Sequence, residues 1–218
     1  MPSQTSESTG HSAWLTVERV GAFSDGVIAI IITLLVLEIQ VPEGHDFEAE
    51  GMISFLLKAL RDIMVYLLNF GLIFTFWLQH HVMFHYIGRA DRNLLYLNAL
   101  FLFSLSLSPF ATSVAATYRG IPVAEAVFGF SFLLAGLALL AVWLYAAARP
   151  ELLVRQLDRA MIRSVGDRVL LAIAVIILGI AVSAVNFHLS AMVYFCVPLL
   201  YLRNPRADAG WKTGQTGG

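Results

Sequence analysis

The sequence predicts an all-α integral membrane protein with six transmembrane helices in each subunit. Three observations carry this. Of its 218 residues, 58% are hydrophobic and only 13% charged, more apolar surface than a soluble domain of that length can bury. The apolar residues come in long blocks, most of them near the roughly 20 residues that cross a hydrocarbon core about 30 Å thick. The basic residues are also unevenly divided between the two sides that these blocks define. With six spans and both termini on one side, that side holds Arg19, Arg89, Arg92, Arg149, Arg155, Arg159, Arg163, Arg168, Arg203, Arg206 and Lys212. The other holds only Lys58, Arg61 and Arg119. This positive-inside bias places both termini in the cytoplasm, whereas five spans would put the basic tail outside.

The chain reads as one membrane domain, 19–204, between a polar cytoplasmic stretch, 1–18, and a Gly- and Thr-rich tail, 205–218, with the composition of a disordered segment. The first stretch has no basic region ahead of a short apolar one, so the first span is read as retained. Segment one runs from Val20 to Val41 and ends at Pro42. An acidic loop follows with Glu43, Asp46, Glu48 and Glu50. Segment two, Met52 to Ile87, is long, and Lys58, Arg61 and Asp62 place its outer end beyond the membrane. Segment three is Leu94 to Ala116, with a kink expected at Pro109. Segment four is Val123 to Ala148. A charged amphipathic linker, Arg149 to Asp167, leads to segment five, Arg168 to Asn186. Segment six, Ser190 to Leu202, is short and contains Pro198. A net charge of −1 gives no reason for a nucleic-acid partner, and the single cysteine, Cys196, forms no internal disulfide.

The first span carries two features. Phe23, Ile30, Leu34 and Leu37 fall at spacings of three, four and seven, hence on one helical face, with Thr33 beside them. The plain reading of that stripe is a lipid-facing or helix-packing surface. The sharper one is a pore wall, with large apolar side chains that gate by wetting and dewetting, and a ring of Thr33 hydroxyls replacing part of a cation's water shell. Thr33 also has the plainer option of bonding back to its own helix. Glu38 and the acidic loop would concentrate cations at a pore mouth; as a solvated loop they need no role. Second, Arg19, Ser24 and Asp25 cluster at the start of the span. A buried, unpaired Asp25 costs several kcal/mol on the usual order, so it is expected to find partners on other helices. The candidates lie in Trp77 to His85 and in Asp91 to Asn98. His81 and His85 have the i, i+4 spacing of helical metal sites but no Glu between them and no third ligand nearby in sequence. Hydrogen-bonded structural histidines and a pH-sensing role are the other readings. Ser104, Ser106 and Ser108 read as small packing residues.

Arg19-x-x-x-Phe23-Ser24-Asp25 in front of a 20-residue apolar span resembles the signature of the transmembrane protein 175 family, the endosomal and lysosomal potassium channels. The resemblance continues in Trp77, His80, His81 and Phe84, and in Asn93, Leu94, Asn98, Ser108, Pro109 and Phe110. It implies a homotetramer whose first helices line a central pore without a re-entrant filter loop. It maps the constrictions to Ile30, Leu34 and Leu37, and potassium preference to Thr33; Ala29 stands where some members have Ser. It also maps a structural network to Arg19, Phe23, Ser24 and Asp25 with His81, Asp91 and Asn98. The expectation is therefore a potassium-preferring cation channel of the inner cell membrane, with K+ as permeant ion, membrane lipid as surroundings, no cofactor, no resident metal and no catalytic residue. Two alternatives stand beside it: a weakly selective cation or proton pathway in which Asp25 and His81 titrate, and a membrane metal transporter or enzyme using His80, His81 and His85.

Overall fold

The computed structural model of the chain describes residues 16–38 and 49–202. The polar N-terminal stretch, most of the acidic loop and the C-terminal tail lie outside the described residues, as do the side chains of Glu50, Lys58 and Arg61.

Helix α1, Val17–Leu34, tightens into a 3-10 turn over Leu35–Glu38. Its buried positions, Val20, Ser24, Ile28, Ile31 and then Leu35, recur every three or four residues and form one stripe against the rest of the chain. Helix α2, Ala49–Tyr86, has 38 residues, about 57 Å. That exceeds a bilayer, and its apolar portion runs from Asp62 to Tyr86, in keeping with the projecting end read from the sequence. Helices α3, Arg92–Ser106, and α4, Ser108–Thr117, form one span interrupted at Leu107. The interruption is the kink expected at Pro109, which has no N–H to give the carbonyl four residues before it. A turn with Gly120 in the left-handed region, φ 80°, leads to α5, Pro122–Ala147.

Two boundaries differ from the sequence reading. Helix α6 spans Arg159–Ser183 and so starts nine residues before Arg168, inside the expected linker. The Asp158 carboxylate accepts a hydrogen bond from the Met161 N–H at 2.6 Å and starts the helix there. Helix α7, Phe187–Leu202, starts at Phe187 rather than Ser190, because Asn186 Oδ1 accepts from the Leu189 N–H at 3.1 Å. The remaining linker includes a 3-10 turn, Pro150–Leu152, and is laid against the end of α2. Gly88 N–H donates to Leu152 C=O at 2.8 Å, and Val154 N–H to Tyr86 C=O at 3.0 Å.

Among the described residues, five helical spans are long and apolar enough to cross a membrane, and α7 is a shorter apolar one. Helix α5 is the hub: it packs on α3, α4 and α6, and its Phe128, Phe132, Leu139, Val142 and Trp143 are fully buried or nearly so. Gly129 on α5 and Gly179 on α6 lie against Tyr194 of α7, where any Cβ would overlap its side chain. Small residues let these helices approach, which in a membrane supplies packing that hydrophobicity cannot. The hub leaves α1 at the side. Its span buries the smallest share of the five, 28% against 56% for α5, so α1 has a free face.

Candidate functional site

That free face is the apolar stripe of the first span. Ile30, Leu34 and Leu37 are 60%, 44% and 73% exposed, and Phe23, Ala29 and Thr33 are exposed with them. The 3-10 turn shapes the stripe. At 3.6 residues per turn, Leu37 would drift about 60° from Leu34; at three residues per turn it stands directly above it. The rise from Ile30 to Leu34 and from Leu34 to Leu37 is then about 6 Å each, two evenly spaced steps of one face. Thr33 Oγ1 donates to its own Ile30 C=O at 2.8 Å, the plainer of the two expectations for it. That bond uses the hydroxyl's proton and leaves the oxygen's lone pairs unspent.

The opposite face of α1 is fixed by a polar chain through three helices. Ser24 Oγ donates to Val20 C=O at 2.8 Å. Asn98 Nδ2 on α3 donates to Ser24 Oγ at 2.9 Å. Asn98 Oδ1 lies 2.9 Å from His80 Nε2 on α2. An amide oxygen only accepts, so His80 Nε2 carries the proton in this bond. Ser24, His80 and Asn98 are all buried. The His80 ring is stacked between Phe84 and Phe101, with centroids 4.1 and 5.3 Å away. Asp25, next to Ser24 but exposed, accepts from Trp77 Nε1 at 2.8 Å.

The structure thus joins Ser24 to Asn98 and gives Asp25 a partner on α2, Trp77, but corrects the histidine. His81 is exposed and its ring lies tilted beside that of Trp77; the residue on Asn98 is His80. The two are neighbours on α2, about 100° apart around the helix, so only one can face α3. Asp91 is also displaced from the expected network. It caps α3 by accepting from Leu94 N–H at 2.8 Å and accepts from Tyr145 O–H of α5 at 2.7 Å. Partial burial pushes its pKa up, but the bonds from Leu94 and Tyr145 and the nearby Arg149 guanidinium outweigh this and hold it below the ordinary carboxylate value. Arg19 and Phe23 are exposed and outside the Ser24 chain of bonds. His80, His81 and His85 do not converge, and among the described residues no three His, Cys, Asp or Glu side chains are grouped to hold a metal. Trp77 opens the stretch Trp77 to His85 in which a partner for Asp25 is expected, although the mapped network does not include it; its ring N–H is a donor in need of an acceptor wherever a Trp packs beside a helix.

Comparison with known proteins bears on this arrangement. The profile of the family described as Endosomal/lysosomal potassium channel TMEM175 matches residues 19–109, which contain the whole polar chain and the exposed stripe. A protein named as a potassium channel in Chamaesiphon minutus is 33% identical over 186 residues, 84% of this chain and 92% of that one. The chain belongs to the TMEM175 family. A potassium channel of Streptomyces collinus is 35% identical over 67% of this chain and 72% of its own length. The human endosomal/lysosomal proton channel TMEM175 is 27% identical over 85% of this chain, which spans 36% of that longer protein. Among solved structures, that of a lysosomal potassium-selective channel TMEM175 homologue from Chamaesiphon minutus superposes with a TM-score of 0.75 at 31% identity, over 85% of this chain and 96% of that one. The chain is a multi-pass membrane protein of this family's fold.

Proposed function

We propose that the protein is a homotetrameric, potassium-preferring cation channel whose four α1 helices line a central pore. The observation that carries the reading is that α1 presents Ile30, Leu34 and Leu37 outward as one aligned stripe while Ser24, on its other face, is tied to Asn98 and His80. A lipid-facing helix needs no such lock; a pore helix does, because its rotation sets what faces the ion. The names of the relatives support cation conduction, with potassium in the bacterial proteins and protons in the animal ones.

In this reading the six helices of 19–204 form one channel subunit in the inner membrane, with both termini cytoplasmic. Rings of Ile30, Leu34 and Leu37 close the pore by excluding water, and the pore opens when they part and wet. Four Thr33 hydroxyls, their protons already given to Ile30 C=O, turn lone pairs toward a dehydrating cation. Transport involves no covalent step and no bound cofactor. Arg19, Phe23 and Asp25 lie at the pore entrance, where Asp25 and its Trp77 partner orient α1 rather than bind the ion.

The test is a bi-ionic reversal-potential measurement on protein reconstituted in planar bilayers. Ile30→Ala widens a constriction and raises unitary current severalfold; Thr33→Ala lowers potassium-over-sodium preference. Unchanged current and unchanged selectivity in both variants would remove α1 from the pore.

A further inference from the structure

Away from α1, a cleft of about 80 Å³ opens between α2, α6 and α7. Its walls are mostly apolar, formed by Leu78, Val82, Leu171 and Leu200, and Arg168 reaches it. Arg168 is half-buried. Its backbone carbonyl accepts from Tyr201 O–H at 2.7 Å, which ties α7 to α6. Its guanidinium makes no hydrogen bond or ion pair with the described residues.

The position of that charge is unusual. Helix α6 has 25 residues, but only fifteen steps separate Arg168 from Ser183, about 22 Å at 1.5 Å each. The hydrocarbon core is about 30 Å thick. With Ser183 at one boundary, Arg168 has its Cα about 8 Å inside the other. Arg163 and Arg159, roughly one and a half and two and a half turns nearer the start of α6, are at the headgroup level and exposed. An unpaired guanidinium at such depth is costly. Its side chain leans toward the helix N-terminus, hence back toward the headgroups. What it lacks is an anion at that level, and the surface beside it is one that acyl chains cover.

We infer that this cleft binds one anionic phospholipid per subunit, its phosphate on the Arg168 guanidinium and its upper acyl carbons along Leu78, Val82, Leu171 and Leu200. A guanidinium and a phosphate match as two-pronged donor and acceptor. Gln79, buried in the same wall, offers a further donor at the glycerol level. A free phosphate would satisfy the charge but would leave the apolar walls without an occupant. Basic pockets between membrane helices on the basic side of a protein are where anionic headgroups are held.

Native mass spectrometry of the full chain tests this, with mixed micelles of equal phosphatidylglycerol and phosphatidylcholine. Wild type retains phosphatidylglycerol about tenfold over phosphatidylcholine, as one charge-assisted contact allows. Arg168→Gln brings the two to parity, Arg168→Lys keeps part of the preference, and Arg163→Gln leaves it within about twofold, as expected of an exposed headgroup-level charge. Leu171→Trp, which fills the cleft and keeps the charge, also loses the retained lipid, so the assignment stays testable if Arg168→Gln does not fold. Parity in wild type, a preference that survives Arg168→Gln or Leu171→Trp, or full displacement of the lipid by millimolar inorganic phosphate would overturn it.

Discussion

Two polar clusters sit at opposite ends of the helical bundle, and they are built on different terms. Near the start of α1, the Val20 carbonyl, Ser24, Asn98 and His80 form a closed sequence in which each donor meets an acceptor. At the far end, Arg119 pairs with Asp62 of α2, but Arg119 Nε, Glu125 Oε1 and Tyr194 O–H are buried without a protein partner. Those residues border a cavity of about 40 Å³ lined also by Val65, Phe128 and Phe187. One water needs roughly 10–15 Å³ on that measure and two to four polar neighbours. Arg119 Nε–H donates, Glu125 Oε1 accepts and Tyr194 O–H does both, so two or three waters would complete the cluster. The first is a lock closed by protein groups alone, a dry lock; the second, between α2, α4, α5 and α7, leaves buried polar atoms for water to meet, a wet joint. In the proposed channel the first kind suits α1, whose rotation must be fixed.

The largest effect should come from opening the dry lock. Asn98→Leu leaves His80 Nε2 and Ser24 without their shared partner in a buried site. A membrane-embedded hydrogen bond is worth about 0.6 kcal/mol on average, but an orphaned buried donor costs about 1–3 kcal/mol, and the orphan governs here. We expect a loss of that second size in thermal or denaturant unfolding of the purified protein. A neutral Asn98→Leu would mean that water reaches the orphaned groups, and that the two clusters are alike after all.

Glu125→Gln is the matching probe of the wet joint and should do much less. The side chain is 4% exposed, but its Oε1 has no protein partner to lose, and a carboxamide still accepts from water. A change within about 1 kcal/mol is expected. A penalty as large as that of Asn98→Leu would show that the Arg119–Glu125 pair is closed through fixed water, and the contrast between the two ends would fail.

The sequence reading reached one cluster and passed over the other, for reasons visible in particular residues. Hydrophobic periodicity sufficed for the six apolar segments and for the outward stripe of α1, because each is a pattern of one helix. Pro109 announced the α3–α4 break by its missing N–H. The start of α6 was hidden because Arg159, Arg163 and Asp167 make its first turns look like a linker; Asp158 three residues ahead of Met161 was the available signal. The choice of His80 over His81 depends on which face of α2 is inside. Leu72, Phe76, His80, Met83 and Ile87 are all buried at spacings of four, four, three and four, so His80 interrupts an apolar stripe and His81 stands off it. That count would have settled the matter. Glu125 carried no such mark, since an acidic residue in the first turn of a helix is ordinary; it lies beside Arg119 and Tyr194 at one cavity, a juxtaposition that no pattern within a single helix shows.

Asp91 tests the edge of the dry end and should give the smallest effect. It caps α3 and joins it to Tyr145 of α5, with Arg149 stacked 3.7 Å over the Tyr145 ring. Its folded pKa lies below the ordinary value. The ionised form is therefore the one the fold favours. Its contribution is full above the unfolded pKa of about 4 and is lost as pH falls through the lower folded value. Wild type should thus lose stability relative to Asp91→Asn from roughly pH 4 downward, while at pH 7 the substitution costs no more than about 1 kcal/mol, the usual size of a cap that remains reachable by water. Unfolding midpoints of the two proteins measured at pH 7 and at pH 3 decide it. A pH-independent difference would mean that the Tyr145 hydroxyl and the α3 cap hold the neutral side chain as well as the carboxylate.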